Sequence, residues 1–485
     1  MGAEPSLRRR AVEGSVYLTV RRLLGVGLST AGLLLLTRIV GPENYGIFAA
    51  ALGLSNYVLM LAQMGIRVYL VRSEGTPEIW NQAFWWVGAT SVSLSMLVVI
   101  GVAVAQLFWI RTEGFLTTAI VMLAGTPLAA VGAIPQTMLE RSLRYRRIAA
   151  LELGAQASGY AIGIPLAQLG YGIWALVASY WVSLAVSSGG AFVSARYFPR
   201  WHWDLALLRP MVRFGVAQGA SYWLYMCKDL IPALVLLPLG GKDAVGHYAL
   251  ATRLLEVLNF APVTIRRVAD PMYARLRHDS AKLLRAMYLA SLGQMLALAT
   301  VCLLFSIVAW YVLPPLFGTQ WQIPLVMIVF AILVAEQLLT AVFGTQAQAL
   351  AIAGYPQVGA RIGAIFLPHL ALVTALAVWL APPRWAPVAY AVAYYWAHLP
   401  NNWQLHRATR RYIGQPYYGV SLLWALALSA AMFAPLAYYV PLLALSVFAL
   451  PQSRTALRDL YNELRLVRTP ATGGTEKQCD NRSSA

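Results

Sequence analysis

Charged residues are scarce in this sequence. Asp, Glu, Lys and Arg make up 12% of its 485 residues, about half the share in soluble proteins, whereas hydrophobic residues make up 59%. A soluble chain of this size would have too little polar surface to cover so many apolar side chains. Apolar runs long enough to span a membrane recur from end to end. The composition therefore predicts an all-α polytopic membrane protein.

Cysteine is also rare, and motifs of catalysis are missing. The three cysteines, Cys227, Cys302 and Cys479, have no paired spacing, which argues against a disulfide framework and a cysteine metal site. The sequence contains no glycine-rich phosphate loop, no HExxH, no CxxC and nothing that resembles a catalytic triad. We therefore expect a transporter without ATP hydrolysis, cofactor or metal, rather than an enzyme.

The stretch Arg21–Gly46 shows the unit from which the chain is built. Two arginines precede an apolar run of 18 residues, Leu23–Val40, and Gly41 and Pro42 end it. About 20 helical residues cross a bilayer, so the run can span one. Similar runs predict fourteen spans, with one long broken helix as the alternative for the last two: 23–40, 46–66, 83–109, 116–138, 148–169, 171–195, 214–239, 246–265, 286–310, 323–347, 358–380, 386–405, 417–433 and 435–450.

The basic residues are distributed unevenly over the predicted loops. With the N-terminus inside, the inner segments hold 31 of the 37 Lys and Arg residues. The outer loops hold Arg111, Lys242 and Arg384. This is the positive-inside pattern, which predicts that both termini are cytoplasmic. It also explains the net charge of +18 without a nucleic-acid partner. Residues 270–288 are predicted to form one amphipathic helix on the inner leaflet.

An internal repeat is visible at an offset of 200 residues. Residues 41–54 read GPENYGIFAAALGL, and residues 241–254 read GKDAVGHYALATRL. The offset covers six spans, an even number, so both copies would enter the membrane in the same direction. The alternative is that short outer turns converge on glycine for local reasons. The repeat predicts a parallel pseudo-repeat with these parts: an N-lobe (1–200, spans 1–6), a C-lobe (201–405, spans 7–12), two appended helices (406–455) and a cytoplasmic tail (456–485).

Two segments resemble a known family. LLLLTRIVGPENYGIFAAALGL, residues 33–54, resembles the opening signature of the polysaccharide transporter family within the flippase and multidrug-exporter superfamily. Residues 138–177 resemble the segment that marks its exopolysaccharide flippase branch. The resemblance implies two six-helix bundles around a V-shaped central cavity, with two further helices. It also implies a flippase of the bacterial inner membrane that acts on lipid-linked oligosaccharide. Pro238 replaces Arg38 in the second copy, which departs from an exact repeat.

Ionisable residues inside the predicted spans are the candidate site. Each costs about 2.5–3.5 kcal/mol at the middle of a lipid-facing helix, so we expect them to face the protein interior. Two possibilities follow: local neutralisation within the pairs Lys228–Asp229 and Arg253–Glu256, or a wet cavity whose cations bind a diphosphate. The candidates for the cavity are Arg253, Glu256, Lys228, Arg22, Arg21, Asn56 and Arg38.

Three acidic residues are candidates for ion coupling: Glu336, Asp229 and Glu152. A carboxyl group inside a membrane protein can carry a proton, and the alternative is interhelical hydrogen bonding of the protonated form. For Arg38 the favoured alternative is a side chain that snorkels from the end of span 1.

These observations leave three functional hypotheses. The first is a flippase for undecaprenyl-diphosphate-linked oligosaccharide in exopolysaccharide or O-antigen synthesis. The second is a drug or organic-cation antiporter of the same superfamily. The third is a membrane polysaccharide polymerase or ligase, which the absence of a long charged outer loop disfavours. The expected partners are the lipid-linked substrate, membrane lipids, and a polysaccharide polymerase with other assembly proteins.

Overall fold

The computed structural model of this chain is built from helices. It describes residues 7–73, 75–276, 278–433 and 446–468, although the side chains of residues 7–24 and of scattered later positions are outside the description. No strand occurs in these ranges. The helices are α1 (Leu7–Gln63), α2 (Ile66–Arg72), α3 (Pro77–Phe108), α4 (Phe115–Arg141), α5 (Tyr145–Gln168), α6 (Ile173–Ala195), α7 (Leu205–Met226), α8 (Leu237–Leu258), α9 (Phe260–Leu276), α10 (Ser280–Phe317), α11 (Ile323–Ile352), α12 (Pro356–Leu380), α13 (Ala386–Tyr412), α14 (Ser421–Ala431) and α15 (Pro451–Arg468).

Helix α1 contains the first two predicted spans and is broken at one residue. Gly41 has φ 80° and ψ 166°, a backbone conformation that is essentially restricted to glycine. Pro42 then starts the second half, where its fixed φ and missing N–H suit the first turn of a helix. The short polar turn expected between spans 1 and 2 is therefore a single glycine.

The two halves of α1 run in opposite directions. Before the break, Gly32 packs against the ring of Tyr160 in α5. After it, the chain follows α4 to the ion pair between Arg67 and Glu140, whose Nη2 and Oε1 atoms are 2.6 Å apart. Helices α4 and α5 are themselves joined by a short turn, residues 142–144. We name the two sides of the bundle the Gly41 end and the Arg67 end.

Helix α8 repeats the break of α1. Gly241 has φ 84° and ψ 170°, close to the angles of Gly41 at the corresponding position 200 residues earlier. The two breaks also contact each other. A Cβ atom on Gly46 would overlap the carbonyl oxygen of Lys242, and one on Gly246 would overlap that of Pro42. This reciprocal contact confirms the parallel pseudo-repeat, and it brings the N-lobe (α1–α6) and the C-lobe (α7–α13) together at the Gly41 end.

The other predicted spans up to span 13 coincide with α3–α8 and α10–α14. Eight helical stretches in the described ranges are long and apolar enough to cross a membrane. Span 14 lies largely outside the described residues. The limits of the four predicted parts of the chain stay predictions. Helix α15 packs on α14, where the indole N–H of Trp424 donates to Ser453 Oγ at 2.9 Å.

The prediction of one amphipathic helix over residues 270–288 is wrong. Helix α9 ends at Leu276, and Asp279 starts α10 by accepting a hydrogen bond from the backbone N–H of Lys282 at 3.1 Å. Leu283 is buried in a cluster with Tyr273 rather than facing a lipid surface. The aspartate acts as an N-cap and therefore divides the segment.

Candidate functional site

A central cavity of about 700 Å³ lies between the two lobes. Residues of α1, α5 and α6 form its N-lobe wall, and residues of α8, α11, α13 and the segment after α7 form its C-lobe wall. At the Gly41 end the lobes meet at the Gly46–Gly246 contact, next to the lining residues Tyr45 and Val245. The charged residues among its described lining are Lys228, Asp229, Arg253, Glu256 and Glu336.

Lys228 owes its position to a break in the helix that precedes α8. Pro232 has no N–H to bond to the carbonyl of Lys228 four residues earlier, and the chain forms a 3-10 turn, Cys227–Leu230, followed by a π turn, Pro232–Leu236. The ammonium group of Lys228 donates to the hydroxyl of Tyr394 at 3.0 Å. It also lies 5.2 Å from the ring centroid of Tyr225. Lys228 is thus held at one position on the cavity wall.

The neighbouring Asp229 completes a local pair, since its Oδ1 lies 3.4 Å from Lys228 Nζ. The two side chains differ in exposure, at 15% for Lys228 and 56% for Asp229. The lysine is therefore enclosed by its partners, while the carboxylate extends into the open part of the cavity.

Arg253 and Glu256 form a second pair one helical turn apart on α8. Arg253 Nη1 donates to Glu256 Oε2 at 2.9 Å, and the side chains remain 43% and 58% exposed. Exposed pairs of this kind contribute only about 0–1 kcal/mol, so either group can exchange its partner for a ligand. Asn56, the repeat equivalent of Glu256, is exposed on the opposite wall.

Glu336 is the most buried charged residue of the lining, with 2% of its surface exposed. It accepts hydrogen bonds from Thr340 Oγ1 at 2.6 Å and from Gln337 Nε2 at 2.8 Å. His398 of α13 lies near it, with Nε2 3.5 Å from Glu336 Oε1. The carboxylate is thus held in a polar network behind the cavity surface.

The remaining candidates lie elsewhere. Arg38 is exposed and Glu152 is half-buried, and neither is among the residues that line the cavity. Glu152 lies on α5, one turn before the lining residue Gln156. Arg21 and Arg22 belong to α1, but their side chains lie outside the described residues.

Aromatic residues of the cavity were missed by reasoning from intramembrane charge. Tyr45, Tyr57, Tyr160 and Tyr180 line the N-lobe wall, and Tyr394 contacts Lys228 from α13. Their signal in the sequence is weak because tyrosine is common in membrane helices of any function. The repeat brings the helix that follows each glycine break to the lobe interface. It is the one sequence signal that could have indicated Tyr45 and Tyr57, the cavity tyrosines of α1.

Several contacts hold the lobes together at the Gly41 end. Lys242 Nζ lies 2.6 Å from Glu43 Oε2, and this ion pair joins α8 to α1. The indole N–H of Trp321 donates to the carbonyl oxygen of Thr37 at 3.0 Å. Trp321 is buried and comes from the loop between α10 and α11. Any opening of the cavity at this end must break these contacts.

Comparison with known proteins identifies the family to which this architecture belongs. A family model described as "Polysaccharide biosynthesis protein" matches residues 35–326, which is more than half of the sequence. The chain belongs to this polysaccharide biosynthesis family. The matched residues include both glycine breaks and the pairs Lys228–Asp229 and Arg253–Glu256, so the cavity described above is built largely from the part that the family model matches.

Two curated proteins are similar to this family member. Succinoglycan biosynthesis transport protein ExoT of Rhizobium meliloti (strain 1021) is 26% identical over 329 residues, which cover 65% of each chain. Lipopolysaccharide biosynthesis protein WzxC of Escherichia coli (strain K12) is 23% identical over 287 residues, which cover 57% of each chain. The chain thus spans a little under two thirds of the length of ExoT and somewhat more than half of the length of WzxC.

Solved structures show the same transporter fold. Lipid II flippase MurJ in an inward closed conformation is 12% identical and has a TM-score of 0.62, with 94% of this chain and all of MurJ covered. An inward-facing multidrug resistance MATE family transporter is 18% identical and has a TM-score of 0.51, with 81% and 98% covered. This member of the polysaccharide biosynthesis family is therefore a multi-pass membrane protein of that fold.

Proposed function

We propose that this protein is a flippase that moves undecaprenyl-diphosphate-linked oligosaccharide from the inner to the outer leaflet of the bacterial inner membrane. The observation that carries the proposal is a cavity of about 700 Å³ with charged residues on its wall, between the lobes of a chain in this family. Pockets of about 300–1,000 Å³ bury drug-sized ligands, so a short oligosaccharide fits this volume. The names of the two relatives favour exopolysaccharide or O-antigen synthesis.

Arg253 is the cation that we assign to the diphosphate. Its guanidinium is half-exposed in the cavity, and its Nη1 atom donates to Glu256 on the same helix. A guanidinium binds phosphate oxygens through two parallel hydrogen bonds, which are stronger than those between neutral groups. Lys228, held by Tyr394, adds a fixed positive charge to the same wall. Full transport by Arg253→Ala in a reconstituted system would remove Arg253 from this role.

Depletion of the protein tests the function itself. We expect lipid-linked oligosaccharide to accumulate on the cytoplasmic side of the inner membrane, where an externally added glycosidase cannot reach it in intact spheroplasts. Polymerised product should disappear at the same time. Unpolymerised units on the outer side would instead indicate a polymerase, and an unchanged distribution would contradict both hypotheses.

Ion coupling is a second part of the proposal and rests on Glu336, Asp229 and Glu152. Glu336 is the strongest of the three because it lies in a buried polar network with Thr340 and His398. We expect dissipation of the proton or sodium gradient to reduce transport, and Glu336→Gln to remove that dependence. Transport that is equally fast without either gradient would end this hypothesis.

The orientation and the partners complete the proposal. The distribution of basic residues supports cytoplasmic termini, with the Gly41 end outside. Membrane lipids and a polysaccharide polymerase with its assembly proteins are the expected partners. Labelling of a single cysteine placed at Lys242 by a membrane-impermeant maleimide in intact cells tests the orientation. Labelling only after lysis would reverse it.

One observation favours a second candidate, an organic-cation antiporter. The described lining carries three carboxylates and two cations, so it is not a purely positive surface. An antiporter would change the sensitivity of cells to cationic dyes when the protein is overproduced. We expect no such change, together with the cytoplasmic accumulation described above. Resistance to cationic compounds without any change in lipid-linked oligosaccharide would favour the antiporter.

A further inference from the structure

Among the described residues, the two walls of the cavity differ in charge. The charged residues of the described lining, Lys228, Asp229, Arg253, Glu256 and Glu336, all belong to the C-lobe. The described lining of the N-lobe has no charged residue, yet it is rich in hydroxyl and amide groups. The repeat shows the contrast directly, because Asn56 on one wall corresponds to Glu256 on the other.

The N-lobe wall is chemically suited to sugars. Its tyrosine and serine hydroxyls and the amides of Asn56 and Gln156 can both donate and accept hydrogen bonds without a charge. Sugar hydroxyls need partners of this kind, whereas a diphosphate needs cations. Tyrosine rings also offer flat apolar surface beside a polar group, which covers the less polar face of a sugar ring.

Two details indicate that this wall is prepared for a ligand. The side-chain oxygen of Gln156 is buried and has no hydrogen-bond partner among the described residues. A buried acceptor left in this state is costly, and a rotation of the side chain toward the cavity would let a ligand hydroxyl satisfy it. Gly32 leaves room for Tyr160, since a Cβ atom at that position would lie 2.5 Å from the tyrosine ring. The ring can therefore lie against α1 at the cavity edge.

We propose that the N-lobe wall binds the sugar units of the substrate, while the C-lobe wall binds its charged diphosphate. This inference rests on the proposed function and adds an orientation of the head group across the cavity. Asn56, Gln156 and Tyr160 are then residues that distinguish one glycan from another. Arg253 contacts a part that all polyprenyl-diphosphate substrates share, and it carries no sugar preference.

Binding of two probes to the full-length protein in nanodiscs tests the inference. One probe is undecaprenyl diphosphate without sugar, and the other is undecaprenyl-diphosphate-linked oligosaccharide extracted from the depleted cells. We expect Gln156→Leu and Asn56→Leu each to weaken binding of the sugar-bearing probe about 3- to 10-fold, the loss of one hydrogen bond. Binding of the sugar-free probe should stay within about twofold of wild type. Arg253→Gln, the matched C-lobe variant, should weaken both probes alike.

The outcomes separate the inference from the function on which it rests. Equal weakening of both probes by the N-lobe variants, or no weakening of either, would overturn the division of the walls while the flippase proposal stands. Failure of the wild-type protein to bind either probe would overturn the flippase proposal and the inference with it. Asn56 is exposed, so Asn56→Leu still reports if Gln156→Leu does not fold.

Discussion

Substitution of Gly246 by alanine should prevent the lobes from closing at the Gly41 end. A Cβ atom at this position would overlap the carbonyl oxygen of Pro42 and lie 2.7 Å from its carbonyl carbon. Ordinary van der Waals contacts of a Cβ atom are 3.4–4 Å, so the backbones must separate by about 1 Å. Overpacking of this kind costs about 1–3 kcal/mol, which lowers the closed population about 5- to 150-fold relative to other states.

Zero-length cross-linking with a carbodiimide measures that population. The carboxylate of Glu43 and the ammonium group of Lys242, whose Oε2 and Nζ atoms are 2.6 Å apart, should couple rapidly in the parent protein, and mass spectrometry identifies the joined peptides. The Gly246→Ala change should slow cross-linking by at most the factor given above, because the cross-linking rate follows the fraction of molecules that are closed. Gly101→Ala is the control, because a Cβ atom at Gly101 in α3 meets nothing within 4 Å. Cross-linking that is equally fast with Gly246→Ala would refute the idea that this contact controls closure.

Three further predictions concern single residues. Gly241→Ala should lower the free energy of unfolding by about 1–3 kcal/mol. Backbone strain alone causes this loss, since the added Cβ atom would meet nothing within 4 Å. Denaturation in detergent measures it, with Gly101→Ala as the control. Lys228→Met should reduce transport at least about tenfold. The melting temperature should change little, because an apolar residue removes the cost of burying the ammonium group. A large loss of stability with normal transport would contradict this prediction. Asp279→Ala should lower the melting temperature at pH 7, and the difference should shrink as the pH falls below about 4 and disappear once the pH is below the lowered pKa of Asp279. The backbone N–H of Lys282 lowers the pKa of Asp279, so its stabilisation is present above the ordinary aspartate pKa and is lost as pH falls through the lowered value.

The spans could be predicted from the sequence because a long apolar run is a strong signal with one dominant interpretation in a membrane. The pairing of Arg253 with Glu256 could also be predicted, since residues three apart share a helix face. The repeat at Gly41 and Gly241 was visible for a similar reason. Both glycines adopt a backbone conformation that excludes other residues, and this requirement keeps the local pattern recognisable.

The partners of the charged residues could not be predicted in this way. Tyr394 contacts Lys228 across 166 positions of the chain, and His398 approaches Glu336 from another helix. Such contacts depend on how helices pack in three dimensions, which periodicity along one helix does not determine. The error over residues 270–288 has a different cause. The hydrophobic spacing continued through Asp279, but the capping hydrogen bond of this side chain ended the pattern.

The single-residue connection at Gly41 has a mechanical consequence. A loop of several residues would let one membrane-crossing arm tilt freely while its neighbour stayed in place, but a joint of one residue has less slack. The same is true at Gly241. We therefore expect the two arms at each joint to move largely together, and in the proposed flippase this favours rotation of whole lobes against each other.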